Sequence, residues 1–248
     1  MSTTDRVIAV TGASRGIGAA IAQALAQRGF SVACLTRKGK GIESAALPEA
    51  IAARCINLAC DVDDEASLKA AFAALAQQTG RIDGLVNNAG IHRDGKSAAF
   101  STIDYEQVMG TNARAVFVAC REAYPYLAKD GGMIVNIGSF FDKLGVKRNL
   151  AYCASKAAVG AITRCLAVEW ASKGIRVLDV APGYIETEFN TEALKNPALR
   201  TFLEQRIPGG KPGSAQAVAR LVAALYDEDI DFMTGETIYI DGGQGMAH

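Results

Sequence analysis

Hydrophobic residues in this chain fall into short runs that are separated by longer stretches of mixed character. The runs are apolar at nearly every position and rich in Val and Ile, which is typical of strands buried on both faces of a parallel sheet. We predict strands at 6–11, 31–36, 55–60, 82–87, 133–138, 175–180 and 237–241. Apolar residues recur at helical spacing between them, which predicts helices at 16–28, 65–78, 104–128, 150–172 and 214–226.

This alternation of strands and helices predicts the fold class. It indicates an α/β protein with a single-domain doubly wound (Rossmann-type) parallel sheet and helices on both faces, spanning residues 1–248. The one extended irregular region, at about 183–213, follows a predicted strand end and holds Pro197, Pro208 and Pro212. We predict that it is a mobile loop over the substrate.

Composition and charge exclude several classes of protein. Lys and Arg number 26, as do Asp and Glu, and no basic stripe is present, so we expect no nucleic-acid partner. No apolar run reaches the roughly 18 residues that span a bilayer, and the N-terminus lacks a signal-peptide pattern. We therefore expect no membrane partner and a cytoplasmic location. The six cysteines stand singly among few histidines, which favours buried free thiols and no metal.

A glycine-rich turn joins the first predicted strand to the first predicted helix, in the sequence TGASRGIG at 11–18. A phosphate can approach backbone N–H groups at a helix N-terminus only where side chains do not obstruct it. The turn therefore predicts a dinucleotide-binding site, and a tight turn without a ligand is the alternative. The candidate ligands here are Gly12, Ser14, Arg15, Gly16, Ile17 and Gly18.

The residues after the second strand indicate which dinucleotide binds. NAD(H) is usually held by an acid about 20 residues beyond the glycines. This chain instead has Thr36, Arg37 and Lys38 there, and no acid before Glu43. Together with Arg15, these cations match a 2′-phosphate and favour NADP(H) over NAD(H). A solvated basic loop is the alternative.

Tyr152 and Lys156 stand four apart in a helix of otherwise small apolar residues, so both side chains lie on one face. Reduction of a carbonyl needs a proton at its oxygen. A nearby lysine, together with the positive charge of an oxidised nicotinamide, should lower the phenol pKa from about 10. Ser139 follows a strand end, where its hydroxyl could stabilise charge on that oxygen. Asn112 places an amide on an apolar helical stripe. The alternatives are a helix surface, a loop serine and a satisfied core amide.

These motifs occur in an ordered set that also includes CDV (60–62), NNAG (87–90) and PGYIET (182–187). The set resembles the short-chain dehydrogenase/reductase family over essentially the whole chain, and most of all its 3-oxoacyl-[acyl-carrier-protein] reductase branch. The resemblance implies that Lys156 holds the nicotinamide ribose. It also implies that Asn112 connects to Lys156 through ordered water. It also implies a homo-oligomer, either a tetramer or a dimer.

The resemblance assigns further residues to the cofactor and leaves the substrate open. The additional candidate cofactor ligands are Asp61, Val62, Asn88, Ala89, Gly90, Pro182, Gly183, Ile185 and Thr187. The segment GSFFDKLG (138–145) and the residue after NNAGI depart from the branch. The candidate substrate contacts are His92, Phe140, Phe141 and Tyr184. Core packing is an equal alternative for the two phenylalanines.

We therefore expect an NADP(H)-dependent carbonyl reductase or secondary-alcohol dehydrogenase, similar to the 3-oxoacyl-thioester reductases. Its partner would be a small-molecule carbonyl or alcohol, with acyl thioesters among the candidates. One alternative is an NAD-dependent dehydrogenase of a sugar, polyol or other small secondary alcohol. Another is a non-catalytic dinucleotide-binding regulator, since fold alone does not define function. A dehydratase or epimerase would need a further substrate domain, for which 248 residues leave little room.

Overall fold

A parallel sheet forms the centre of the protein. The computed structural model describes residues 6–43, 47–187, 197–227 and 230–246. Within them the strands are β1 (Val7–Thr11), β2 (Ser31–Thr36), β3 (Cys55–Ala59), β4 (Gly84–Asn87), β5 (Gly132–Ile137), β6 (Ile175–Pro182), β7 (Ile185–Glu186), β8 (Gly213–Ser214) and β9 (Thr237–Ile240). Seven of these form one sheet in the order β3-β2-β1-β4-β5-β6-β9, with every neighbouring pair parallel. β7 and β8 form a separate parallel pair.

Helices cover both faces of the sheet. They are α1 (Gly16–Gln27), α2 (Glu49–Ala52), α3 (Glu65–Thr79), α4 (Thr102–Met109), α5 (Ala115–Asp130), α6 (Leu150–Trp170), α7 (Pro197–Arg206) and α8 (Ala215–Asp227). Buried side chains of α1 and α8 pack on one face of the sheet. Those of α3, α5 and α6 pack on the other. The prediction of a doubly wound α/β fold is therefore confirmed.

The predicted strands of the central sheet all exist, with ends within two residues of the predicted ones. The predicted helix at 104–128 is interrupted, because a π-helical turn at Gly110–Arg114 separates α4 from α5. The region at 183–213 was predicted to be irregular, but it contains β7 and the start of β8, with α7 between them. Residues 188–196 of that region lie outside the described part of the chain, and its predicted mobility stays a prediction.

Two predicted absences can be compared with the structure. In the described ranges, no helix combines the length and apolar character that crossing a membrane requires. The same ranges contain no group of three His, Cys, Asp or Glu side chains that could bind a metal.

All six cysteines are free thiols, but Cys165 is exposed and Cys55 and Cys153 are half-buried. The expectation of burial thus holds only for Cys34, Cys60 and Cys120.

Candidate active site

The candidate site lies where β1, β4, β5 and β6 end beside one another. In parallel sheets of this type, ligands bind outside the carboxyl ends of the strands. Buried amides join these strands, because the Asn87 Nδ2 atom donates to the Asn136 Oδ1 atom at 2.9 Å. The Asn136 Nδ2 atom in turn donates to the Thr163 hydroxyl of α6 at 2.9 Å. This network holds α6 in register with the strand ends.

The glycine-rich turn is clamped by the loop that follows β4. Gly12 has φ +64°, and a Cβ there would lie 2.9 Å from the Ala89 Cα atom. A Cβ at Gly18 would lie 2.3 Å from the Gly12 carbonyl oxygen. The Asn88 side chain donates to the Thr11 and Gly12 carbonyls at 3.1 and 3.2 Å. Both glycines are therefore required by close backbone contact, and the N-terminus of α1 has no side-chain cap.

A cleft of about 300 Å³ lies beside this turn. Arg15 and Arg37 line it, whereas Lys38 does not. The Thr36 hydroxyl is buried there without a hydrogen-bond partner in the protein. Open backbone, two cations and an unsatisfied hydroxyl fit a phosphorylated nucleotide. The predicted cofactor residues that line this cleft are Gly12, Ser14, Arg15, Arg37, Asp61, Val62, Asn88, Ala89 and Gly90.

A second cavity, of about 290 Å³, adjoins this cleft and shares Asn88, Gly90 and Ile91 with it. It brings together residues that are far apart in the sequence. The predicted residues that line it are Ile17, Asn88, Gly90, His92, Ser139, Tyr152, Lys156, Pro182, Gly183, Ile185 and Thr187. We call it the central cavity. Three of the four predicted catalytic side chains thus meet the predicted nicotinamide contacts in one space.

Tyr152 and Lys156 lie on the same face of α6, as their spacing predicts. The Lys156 Nζ atom is 5.7 Å from the centroid of the Tyr152 ring. It donates a hydrogen bond of 2.7 Å to the Ile137 carbonyl at the end of β5. The Ser139 hydroxyl accepts from the Phe141 amide at 3.2 Å and also interacts with the Tyr152 hydroxyl. The hydroxyls of Ser139 and Tyr152 and the ammonium of Lys156 therefore lie close together in the central cavity.

Burial controls the protonation of this group. It raises the pKa of Tyr152 above the ordinary value of 10.0, while the hydrogen bond with Ser139 acts in the opposite direction. Burial also lowers the pKa of Lys156 to about 8, against the opposing effect of the Asp179 carboxylate. The folded chain alone therefore does not produce the lowered Tyr152 pKa that the spacing predicted. The reason is that desolvation penalises the phenolate and that Nζ is directed to a backbone carbonyl.

Asn112 lies in the π-helical turn and is fully buried. Its Oδ1 atom accepts from the Ile91 amide at 2.8 Å, and its Nδ2 atom donates to the Ile91 carbonyl at 2.9 Å. Nδ2 also donates to the Ser155 hydroxyl at 3.1 Å, which in turn donates to the Tyr152 carbonyl at 2.8 Å. Asn112 is thus a satisfied core amide that fixes the loop after β4 against α6. Its connection to Lys156 through water stays a prediction.

Asp179 is a residue of this site that the sequence analysis missed. It is fully buried in β6, and a Cβ at Gly138 would lie 2.4 Å from its Oδ1 atom. Its Oδ2 atom accepts from the Thr237 hydroxyl at 3.2 Å, while Oδ1 has no partner. Burial raises the Asp179 pKa to about 6, although the charge of Lys156 lowers it. A single acid within the apolar run IRVLDVAP was the available signal.

The Asp179 pKa leads to a prediction about stability. Because the folded pKa of about 6 exceeds the ordinary 3.8, the folded state holds a proton that the unfolded chain has lost at intermediate pH. The free energy of unfolding therefore falls as pH rises from about 4 to 6. Asp179→Asn removes this ionisation, so its advantage over the wild type should grow by about 1–2 kcal/mol between pH 5 and 7.5.

Urea denaturation at the two pH values measures this difference. Asp130→Asn, at an exposed carboxylate of α5, is the matched control and should differ from the wild type equally at both pH values. An Asp179→Asn protein whose advantage is the same at pH 5 and 7.5 would refute the assignment.

Aromatic side chains bound the site on the side away from the glycine turn. The Phe141 ring centroid lies 5.9 Å from that of Tyr152, and the Phe140 ring centroid lies 5.4 Å from that of Tyr184. Both phenylalanines are buried, and with Tyr184 they line a further cavity of about 530 Å³, which we call the outer cavity. The His92 ring lies 5.1 Å from the Tyr152 ring and bonds to the Asn149 side chain. Two of the four predicted substrate residues, His92 and Phe141, therefore lie against Tyr152, and Phe140 and Tyr184 contact Phe141 at 4.6 and 6.1 Å between ring centroids.

Comparison with known proteins identifies the class to which this fold and site belong. A family model described as enoyl-(acyl carrier protein) reductase matches residues 12–244. The chain is 39% identical over 244 residues to the 2-(R)-hydroxypropyl-CoM dehydrogenase of Xanthobacter autotrophicus (strain ATCC BAA-1158 / Py2), covering 96% of this chain and 98% of that protein. It is 36% identical over 248 residues to the 3-oxoacyl-[acyl-carrier-protein] reductase of Escherichia coli (strain K12), covering 100% of both.

A solved structure agrees. Gluconate 5-dehydrogenase from Burkholderia cenocepacia J2315, in complex with NADP and tartrate, has a TM-score of 0.90 and 31% sequence identity, covering 98% of this chain and 96% of that one. The protein is thus an oxidoreductase that acts on CH–OH and C=O groups. It belongs to the short-chain dehydrogenase/reductase family, as the sequence motifs predicted.

Proposed function

We propose that this protein is an NADP(H)-dependent carbonyl reductase or secondary-alcohol dehydrogenase. The observation that carries the proposal is the meeting of Ser139, Tyr152 and Lys156 in the central cavity, beside a cleft lined by Arg15 and Arg37. The side chains that could transfer a proton thus lie beside a cleft that suits a phosphorylated nucleotide. This juxtaposition supports catalysis more than it supports a regulator, which would need no proton donor in the cavity.

The chain's residues have distinct tasks in this proposal. When bound, the nicotinamide dinucleotide supplies the hydride for reduction and accepts it in the reverse direction. Tyr152 donates a proton to the carbonyl oxygen, which becomes a hydroxyl. Ser139 donates a hydrogen bond to the same oxygen and stabilises the negative charge that develops there. The raised pKa of Tyr152 keeps the phenol protonated at neutral pH. The proton then moves to the substrate oxygen because hydride addition makes that oxygen strongly basic.

Lys156 has two tasks in the proposal. Its pKa of about 8 lets it exchange protons near neutral pH, so it can help to restore the proton that Tyr152 has donated. Its ammonium also holds the nicotinamide ribose, as the family resemblance implies. Its bond to the Ile137 carbonyl fixes its position in the cavity. Asn112 acts as a positioning residue, because it holds the Ile91 backbone and Ser155.

The proposed preference for NADP(H) over NAD(H) rests on Arg15 and Arg37. Both line the cleft, and the buried Thr36 hydroxyl beside them lacks a protein partner. A guanidinium forms paired hydrogen bonds with a phosphate, so two of them favour the 2′-phosphorylated cofactor. The NADP complex of the gluconate 5-dehydrogenase is consistent with this preference. Lys38 does not line the cleft, so we give it no direct contact.

The proposed substrate is a ketone or its secondary alcohol, and a 3-oxoacyl thioester is the first candidate. The reductase from Escherichia coli, which matches over the full length of both chains, supports this candidate. The gluconate 5-dehydrogenase supports a second one, a sugar-derived or polyol substrate. The aromatic wall of Phe140, Phe141 and Tyr184 suits the acyl chain better than a polyol.

A substrate panel tests the proposed function. The purified protein is assayed by NADPH absorbance with 3-oxoacyl N-acetylcysteamine thioesters, sugar-derived ketones and small neutral ketones. We expect NADPH oxidation with at least one ketone, and a higher kcat/KM with NADPH than with NADH. A protein that binds NADPH by fluorescence titration but reduces no carbonyl and oxidises no alcohol would instead be a regulator.

We also propose a homo-oligomer, either a tetramer or a dimer. Large apolar side chains are exposed on α5 and α6, where Phe117 is 43% exposed and Val168 is 83% exposed. A homo-oligomer that pairs these helices would cover them, as the family resemblance implies. The predicted cytoplasmic location stays a prediction.

A further inference from the structure

The Asp179 carboxylate packs against the backbone that connects two residues of the central cavity. A Cβ at Gly138 would lie 2.4 Å from its Oδ1 atom and 2.7 Å from its Oδ2 atom, so the carboxylate fills the space of a side chain there. Gly138 stands between Ser139 and Ile137, and the Ile137 carbonyl accepts from the Lys156 Nζ atom at 2.7 Å. The ammonium and the carboxylate thus contact adjacent residues of one segment.

Helix α6 approaches the same carboxylate from the other side. Gly160 follows Lys156 by one helical turn, and a Cβ at Gly160 would lie 4.0 Å from the Asp179 Oδ2 atom. The helix that carries Lys156 therefore packs directly over Asp179 of β6. Burial lowers the pKa of Lys156, and the Asp179 carboxylate opposes this effect. Burial raises the pKa of Asp179, and the Lys156 ammonium opposes that effect in turn.

The hydrogen bonds of Asp179 are fewer than a structural role would require. The residue is fully buried, and its Oδ2 atom accepts from the Thr237 hydroxyl at 3.2 Å. Its Oδ1 atom has no hydrogen-bond partner among the described residues. Buried carboxylates that serve only the fold are normally bonded at both oxygens, and one with an open oxygen needs a nearby cation to stay charged. Lys156 is the cation that favours the charged form here.

Other charged or titratable groups lie around Asp179. Asp142, in the short turn after β5, disfavours the charge of Asp179, and its Oδ2 atom accepts from the Tyr239 hydroxyl of β9 at 2.7 Å. Arg164, on α6, is exposed to solvent. Within the described ranges, the charge that acts on Lys156 is that of Asp179. The coupling is therefore specific to this pair.

We propose that Asp179 is a positioning residue of the reaction, which acts through Lys156. Its carboxylate keeps Lys156 in the charged ammonium form, in which Nζ can bond to the Ile137 carbonyl and still return a proton to Tyr152. The effect on turnover rests on the proposed function, whereas the coupling of the two side chains is a property of the folded chain. Since Lys156 has a pKa of about 8, the carboxylate matters most in neutral and alkaline solution.

Nuclear magnetic resonance measures the titration of Lys156 without turnover. The protein is labelled with ¹³C at the lysine Cε positions, and Lys156→Arg identifies the signal by its loss. In the wild type we expect a midpoint of about 8. Asp179→Asn keeps the shape of the side chain and removes its charge. The midpoint should therefore fall by about one pH unit, a 10-fold change in proton affinity.

Two further variants separate charge from packing. Asp142→Asn is the matched control, because this carboxylate also has a buried Oδ1 atom without a partner among the described residues but acts on Asp179. Its Lys156 midpoint should stay within about 0.3 pH unit of the wild type, since more distant charges are screened. Asp179→Ser differs from Asp179→Asn in shape but not in charge, so it should lower the midpoint by a similar amount.

The wild-type signal provides a measurement that needs no variant at Asp179. Ionisation of a neighbouring carboxylate changes the electric field at the lysine, so the Lys156 Cε shift should show a second, smaller inflection. Its midpoint should match the Asp179 pKa of about 6. A Lys156 signal with a single inflection between pH 4 and 10 would contradict the coupling.

The pH dependence of kcat/KM tests the effect on the reaction. With a ketone from the substrate panel, Asp179→Asn should be roughly 10-fold less active than the wild type at pH 8.5, because its Lys156 has lost more of its proton. At pH 5.5 the two proteins should agree within about threefold, because Lys156 is protonated in both. A structural loss would instead lower activity by the same factor at both pH values.

The possible failures are distinct. An unchanged Lys156 midpoint in both Asp179 variants, or an equal fall in Asp142→Asn, would overturn the coupling. A loss of kcat/KM that does not depend on pH would overturn the role of Asp179 in the reaction. A lowered midpoint in a protein that reduces no carbonyl would retain the coupling and contradict the proposed function.

Discussion

Tyr152→Phe is expected to lower kcat by about 100- to 10,000-fold, which is the usual contribution of a positioned general acid. The ring remains and keeps its edge contacts with His92 and Phe141, so the central cavity retains its shape. Only the proton donor is lost. NADPH affinity should change by less than about fivefold, because the phenol contributes at most one ordinary hydrogen bond to the cofactor.

Steady-state assays and fluorescence titration with NADPH measure these two effects separately. Tyr124→Phe is the matched control, because this ring packs against Trp170, at 4.8 Å between centroids, and lines neither the cleft nor the central cavity. It should retain wild-type turnover. A Tyr152→Phe protein with undiminished kcat would remove Tyr152 from the mechanism, and equal losses in both variants would point to a structural cause.

The central sheet was predictable because its strands are buried on both faces. Such strands must be apolar at almost every position, and that constraint is visible in a single sequence. The π-helical turn around Asn112 was not visible. Its amide is held by Ile91 and Ser155, which are 21 and 43 residues away. A helical stripe describes local spacing only, so it predicted one continuous helix where distant contacts insert a wider turn.

The features of the candidate site also fall into two classes: those that local spacing predicts and those that depend on contacts between distant residues. The glycine turn and the pair of Tyr152 and Lys156 depend on local spacing, and the structure brings them to adjoining cavities as expected. The electrostatic effect of Asp179 on Lys156 depends on packing between β6 and α6, which local spacing does not reveal. Desolvation is equally non-local, so the direction of the Tyr152 pKa shift could not be read from a lysine four residues away.

Replacing Arg37 with Asp tests the cofactor preference directly. Arg37 lines the cleft beside the buried Thr36 hydroxyl, in the loop where an acid would favour a ribose without a phosphate. The variant removes a charge-assisted pair and adds a repulsive carboxylate, so kcat/KM with NADPH should fall by roughly 100-fold. Activity with NADH should be maintained or increase, because its free 2′-hydroxyl can donate to the new carboxylate.

The change is measured as the ratio of kcat/KM with NADPH to kcat/KM with NADH. This ratio is unaffected by losses of activity that are equal for both cofactors. Lys40→Asp is the control, since it makes the same charge change at an exposed position of the same loop that does not line the cleft. Its effect on the ratio should stay within about threefold, because a charge that does not line the cleft acts on the cofactor only through solvent, where salt screens it. An Arg37→Asp protein that keeps its preference for NADPH would exclude Arg37 as the phosphate ligand and leave Arg15 as the remaining cation of the cleft.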